Sequence, residues 1–169
     1  MMKSETAKEH QSESSKDISC GVITLSDSRK SEKLDLSGQY MVEEIEKRYT
    51  LKSRKLIPDE KDELINAIEE MISEGNDVIL TTGGTGLDTR DITVETVEEL
   101  FVKKLDGFGE LFRAKSYDEI GAAALLSRAT AGIYKKTIIF SMPGSPNAVK
   151  TAFSIIIDEL PHIVHHVKK

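Results

Sequence analysis

The chain has 169 residues, 38% of them hydrophobic and 31% charged, and 29 acidic against 23 basic side chains leave a net charge of −6. This length fits one domain that buries a two-sided sheet without metals or disulfides, and the scattered basic residues argue against nucleic acid as the main partner. A single cysteine excludes an internal disulfide framework, and without a signal-type or membrane-length apolar stretch a soluble cytoplasmic protein is expected.

Residues 1–17 are almost all polar or charged, with nothing to bury, and are expected to form a disordered tail; one domain over 18–169 follows. Ile18 to Leu25 is a short, largely apolar run that reads as a buried first strand, with Cys20 filling space inside it, and Ser26-Asp27-Ser28 is the polar loop at its exit. Met41, Val42, Ile45 and Tyr49 recur at helical spacing between Gly38 and Tyr49. A second strand is expected from about Leu51 to Ile57, punctuated by Pro58-Asp59. Leu64, Ile65, Ile68, Met71 and Ile72 then mark a helix that stops near Gly75.

The strand Val78–Thr82 leads into a glycine-rich loop, after which Thr93 is expected to cap a helix carrying Val94, Val97, Leu100 and Phe101. Two helical stretches are expected next, around Glu110 to Tyr117 and from Asp118 to about Ser127. One or two strands between Ala131 and Ser141, broken at Lys135-Lys136, then turn through Met142–Pro146 into a final Ile-rich helix. Strands alternating with helices favour a mostly parallel sheet with helices on both faces, whose ligands bind beyond the carboxyl ends of the strands.

The loop Thr81-Thr82-Gly83-Gly84-Thr85-Gly86-Leu87-Asp88-Thr89-Arg90-Asp91 leaves a buried strand and enters a helix. Residues without a Cβ let backbone N–H groups approach an anion, and a helix start adds positive potential, so the loop reads as a phosphate cradle. It is neither a Walker A loop nor a dinucleotide fingerprint, since no Gly-Lys-Ser/Thr follows and Thr89 stands where a third glycine is needed. A ligand-free glycine turn is the competing reading.

Asp59 and Asp91 each lie between a strand and a helix, on the same rim as that loop. Singly, such aspartates are commonly caps; as a pair beside a phosphate cradle they suit Mg²⁺, a hard cation bound through carboxylates, waters and phosphates. Ser26-Asp27 adds a third polar loop to that edge. Asp106-Gly107-Phe108-Gly109-Glu110 suits either the approach of backbone and ring to a flat ligand or a helix start with a buried Phe. Arg113, Ser127 and Arg128 are candidates for holding an anion, or simply solvated; Pro143-Gly144-Ser145-Pro146 frames a base or merely ends a strand. His10, His162, His165 and His166 have no Cys or Asp cluster around them in sequence and do not make a metal site.

Several of these segments in order resemble the MoaB/MogA family of molybdenum-cofactor biosynthesis proteins over about residues 18–168. They are Leu56–Glu60, Thr81–Gly86, Arg90–Thr93, Gly107–Arg113, Leu126–Ala129 and Met142–Ser145. Gly107–Arg113 and Glu119-Ile120-Gly121 are more similar to the MoaB branch.

The resemblance implies a three-layer α/β/α fold of the molybdopterin-binding-domain type, assembly as a homotrimer or homohexamer, and Mg-ATP-dependent adenylylation of molybdopterin. Its product would go to a downstream metal-insertion enzyme. By motif it implies catalytic and Mg²⁺-holding roles for Asp59 and Asp91. It implies nucleotide contacts for Ser26, Asp27, Gly83, Gly84, Thr85, Gly86, Pro143, Gly144 and Ser145, and a pterin side at Gly107, Phe108, Gly109, Glu110 and Ser127. A non-catalytic pterin-binding or scaffold protein would share the fold; retention of both aspartates argues against it.

Overall fold

The computed structural model describes residues 17–169; the expected tail therefore lies outside the described residues apart from Asp17. Six strands form one sheet: β1 (Ser19–Leu25), β2 (Thr50–Ile57), β3 (Val78–Thr82), β4 (Lys103–Lys104), β5 (Thr130–Tyr134) and β6 (Thr137–Met142). Their order is β2-β1-β3-β6-β5-β4. The first four in that order run parallel, while β5 is antiparallel to both its neighbours. The helices are α1 (Leu36–Glu46), α2 (Lys61–Ser73), α3 (Thr93–Leu100), α4 (Asp106–Ile120), α5 (Pro146–Ile156) and α6 (Leu160–Lys168).

The period of two along β1 explains the layers. Cys20 and Val22 point to one face, where they join Met41 and Ile45 of α1, Phe112 of α4, Phe153 of α5 and Leu160 of α6. Ile23 and Leu25 point to the other, against Leu64, Ile68 and Met71 of α2 and Val97 of α3. Burial on both faces is why β1, β3 and β6 read as largely apolar runs, whereas β2, at the sheet edge, carries Lys52, Arg54 and Lys55. Cys20 is fully buried and its thiol pKa is pushed up to about 12, chiefly by burial and then by the Asp77 charge. It packs as a small hydrophobe.

Three elements differ from the sequence expectation. The two stretches expected over 110–127 are one helix, α4, which starts earlier and ends where Gly121 takes a φ of 65°, followed by a 3-10 turn over Gly121–Leu126. The single final helix is two: the chain breaks after Ile156, and α6 starts at Leu160 with Pro161, whose missing N–H is harmless there, in its first turn. The strand β4 is two exposed lysines on the sheet edge, with no apolar pattern to announce it. Lys135 and Lys136 form the β5–β6 hairpin turn with φ of 47° and 60°. The Lys135 ammonium is tied there to the Glu69 carboxylate at 2.8 Å.

Candidate functional site

The four parallel strands end side by side, so the loops that follow them form one rim. Ser26-Asp27 leaves β1, Pro58-Asp59 leaves β2, Gly83–Asp91 leaves β3 and Pro143–Ser145 leaves β6.

The β3 loop is held by its carbonyls. Thr93 Oγ1 donates to the Gly83 carbonyl at 2.8 Å and Thr93 N to that of Gly84 at 2.9 Å. Arg128 Nε donates to the Thr85 carbonyl at 3.0 Å and Arg128 Nη2 to that of Gly86 at 2.7 Å. Glu95 pairs with the same guanidinium and fixes its plane. Four successive carbonyls are thus turned into the protein. The N–H groups of Gly84, Thr85 and Gly86 bond to no other described residue, and consecutive free N–H groups of this kind make an anion-binding concavity.

The glycines are required by contact. Gly83 and Gly84 have φ of 95° and 68°, and a Cβ on Gly84 would lie 2.3 Å from Thr93 Oγ1 and 2.9 Å from Asp59 Oδ1. On Gly86 it would meet Asp91 Oδ2 at 2.5 Å. Thr93 is the first residue of α3 rather than its cap, and its hydroxyl serves the loop instead.

Asp59 and Asp27 exchange reciprocal bonds, Asp27 N to Asp59 Oδ2 and Asp59 N to Asp27 Oδ1, each 3.0 Å. Arg90 grips the Asp27 carboxylate with Nε at 2.9 Å and Nη2 at 3.0 Å. That pairing, then the bond to Asp59, lowers the Asp27 pKa. For Asp59 the balance is opposite. Burial, then the charges of Asp27 and Asp91, raise its pKa, and its Oδ1 is buried beside the glycine loop without a hydrogen-bond partner. Asp91 Oδ2 accepts from Asp88 N at 3.0 Å.

Asp35, which sequence reasoning passed over, is the buried hub behind this rim. It caps α1 through Gly38 N at 3.0 Å and accepts from Thr24 Oγ1 at 2.5 Å and Arg54 Nη2 at 3.3 Å. Arg29 bridges it to the Gly144 carbonyl, which Ser37 also holds at 2.7 Å. An Asp three residues before a small residue at a helix start was the available signature. Ser145 caps α5 by accepting from Ala148 N at 3.2 Å, aiming that helix start at the rim.

A cleft of about 420 Å³ opens above the β3 and β6 ends, lined on this side by Gly83–Gly86, Asp91 and Pro143–Ser145, with Ser127 at the end of the 3-10 turn on the other. Ser26, Asp27 and Asp59 lie on the adjoining rim. Phe112, Ser116 and Glu119 from the second half of α4, with Ile120, Ala123 and Leu126, close the other side; sequence reasoning assigned none of them to the site, although Phe112, Glu119, Ile120 and Leu126 lie in segments that carry the resemblance.

The first turn of α4 does not reach this cleft. Phe108 is buried against Phe140 with ring centroids 5.1 Å apart, so its ring has no face free to stack on a ligand. Gly109 allows close packing on Ala129, whose carbonyl a Cβ would meet at 2.7 Å; Gly107 and Glu110 are exposed elsewhere. Arg113 donates to the Ala129 carbonyl at 3.1 Å. Both arginines offered as anion ligands are therefore committed to backbone carbonyls. Among the described residues no three His, Cys, Asp or Glu side chains cluster as a complete metal site.

Residues 21–162 match the family described as a probable molybdopterin binding domain. The chain is 47% identical to a molybdopterin adenylyltransferase of Pyrococcus furiosus over 96% of its length and 98% of the relative's. It is 43% identical to molybdenum cofactor biosynthesis protein B of Bacillus subtilis, covering 97% and 98%. Its fold superposes on the crystal structure of the tungsten cofactor synthesizing protein MoaB from Pyrococcus furiosus with a TM-score of 0.86 at 48% identity, over 92% and 99% of the two chains.

Proposed function

The chain belongs to the molybdopterin-binding-domain family of MoaB-type proteins, and from that premise we propose that it is a molybdopterin adenylyltransferase of molybdenum-cofactor biosynthesis. In this reaction a phosphate oxygen of molybdopterin attacks the α-phosphorus of ATP. A new phosphoanhydride bond forms, the bond to the β-phosphate's bridging oxygen breaks, and pyrophosphate leaves with that electron pair. No covalent enzyme intermediate is needed; holding two anions in line and offsetting their charge does the work.

The single observation that carries the reading is the β3 loop, with its carbonyls tied inward and the N–H groups of Gly84, Thr85 and Gly86 left for an anion. These groups cradle the ATP phosphates. The Pro143–Ser145 turn and the α5 start hold the nucleotide beside them. Ser26 and Asp27 shape the rim through the Asp27 bonds to Asp59 and Arg90.

Mg²⁺ fits the same place. Asp59 presents a buried, unpartnered carboxylate oxygen next to the loop, and the Asp91 charge is near enough to raise its pKa. With two carboxylates the remaining positions go to phosphates and water, as this ion prefers. When bound, the ion would neutralise phosphate charge.

The test is ATP labelled at the α-phosphorus, incubated with Mg²⁺ and molybdopterin. The label should move into the pterin fraction while unlabelled pyrophosphate appears in equal amount. Release of orthophosphate with no label on the pterin would contradict the assignment.

A further inference from the structure

The cleft has two chemically different ends. The glycine loop, the Pro143–Ser145 turn and the α5 start offer N–H groups and suit phosphates. The opposite end, from α4 and the 3-10 turn, has apolar walls at Phe112, Ile120 and Leu126 with polar groups at Ser116, Glu119 and Ser127. Apolar walls with a few polar groups suit a flat heterocycle.

Besides Asp91, Glu119 is the only carboxylate lining the cleft among the described residues. A carboxylate repels phosphate, so this end faces a part of the ligand that donates hydrogen bonds. Both its oxygens lie 2.9 Å from Thr151 Oγ1. That hydroxyl has one proton to give, so it orients the carboxylate while leaving most of its acceptor capacity open. Nearby in the lining, Ser127 Oγ is buried and has no partner.

The two heterocycles of the proposed reaction differ at their edges. Adenine sets its amino group beside a ring nitrogen lone pair. A pterin sets its 2-amino group beside a ring N–H, two parallel donors that a carboxylate accepts bidentately, as it does a guanidinium. We infer that Glu119 reads the aminopyrimidinone edge of the pterin, with Thr151 as its positioning residue, and so decides which end of the cleft receives the pterin. The identity of the ligand rests on the adenylylation reading above.

The test is a fluorescence titration of the full chain with 6-hydroxymethylpterin and with 6-hydroxymethyllumazine, in which a carbonyl replaces the amino group. Wild type should bind the pterin roughly tenfold tighter or more, because the lumazine leaves the carboxylate facing an acceptor. Glu119→Gln should bring the two affinities to within about twofold and leave Mg-ATP binding unchanged, Glu119→Asp should keep part of the preference, and Thr151→Val should fall between. Glu119 is exposed, so these substitutions do not threaten the core.

A preference that survives Glu119→Gln, no preference in wild type, or no binding of either heterocycle would each overturn the inference. The titration needs no turnover. Discrimination without adenylylation would therefore sink the proposed reaction alone, and adenylylation without Glu119-dependent discrimination would sink this inference alone.

Discussion

Burial, and after it the charges of Asp27 and Asp91, oppose ionisation of Asp59. A carboxyl whose pKa is higher in the folded than in the unfolded chain contributes stability below its unfolded pKa, and that contribution is lost as the pH rises through the folded pKa. The charged form of Asp59 is therefore a cost to the fold, as expected of a group kept for the proposed metal and phosphate role. Asp59→Asn should hold or slightly raise Tm in a thermal melt while lowering turnover roughly 100-fold or more. A clear drop in Tm would mean that the carboxylate is structural. If the working form is ionised, the acid limb of kcat/KM for Mg-ATP, which reports the metal-free enzyme, should lie above the ordinary carboxylate range. The rim positions of Asp59 and Asp91 were legible in the sequence from their place between strand and helix. Glu119 and Ser116 were not, because on a polar helix they look like ordinary solvated positions until α4 is docked.

The β3 loop works as an element because its two sides are anchored from different parts of the chain, Thr93 at the start of α3 and Arg128 after the 3-10 turn. Arg128→Ala frees the Thr85 and Gly86 carbonyls to turn toward the cleft, so KM for ATP should rise about tenfold with a smaller change in kcat. Arg128→Lys should recover little, since an ammonium lacks the planar fork that reaches two carbonyls at once. Steady-state kinetics on both variants check this; an unchanged KM for ATP would remove Arg128 from the loop's support. Gly84→Ala puts a Cβ at a positive φ and against Thr93, and should cost about 1–3 kcal/mol in chemical denaturation while weakening ATP binding first. The loop itself was readable from composition, because few residue types can take its shape. Its anchor was not, since an arginine bonding backbone carbonyls 42 and 43 residues away carries no local pattern.

At the scale of the whole molecule, the centre of the parallel sheet was legible because β1, β3 and β6 are short, largely apolar runs, while the edge strand β2, rich in Lys and Arg, was announced by its place between two helices of clear period. The elements misjudged were those set by tertiary context. Phe108 at the start of α4 packs on Phe140, which matches the helix start with a buried Phe that the sequence offered beside the ligand reading; sequence alone does not separate the two. Leu111, Tyr117 and Leu125 remain exposed along α4 and the 3-10 turn outside the cleft, an apolar surface that one protomer leaves uncovered. Assembly as a homotrimer or homohexamer would cover it, so light scattering should give three or six times 18.8 kDa, and Leu125→Glu should shift the population to smaller species. A wild-type monomer at micromolar concentration would contradict this.

Pyrophosphate release from ATP bears most directly on the account. With purified protein and Mg-ATP, release should require molybdopterin and should fall to background in the Asp59→Ala, Asp91→Ala double variant, which should still fold. Release at the wild-type rate from that variant, or from wild type without any pterin, would contradict the claim that this rim joins two phosphates.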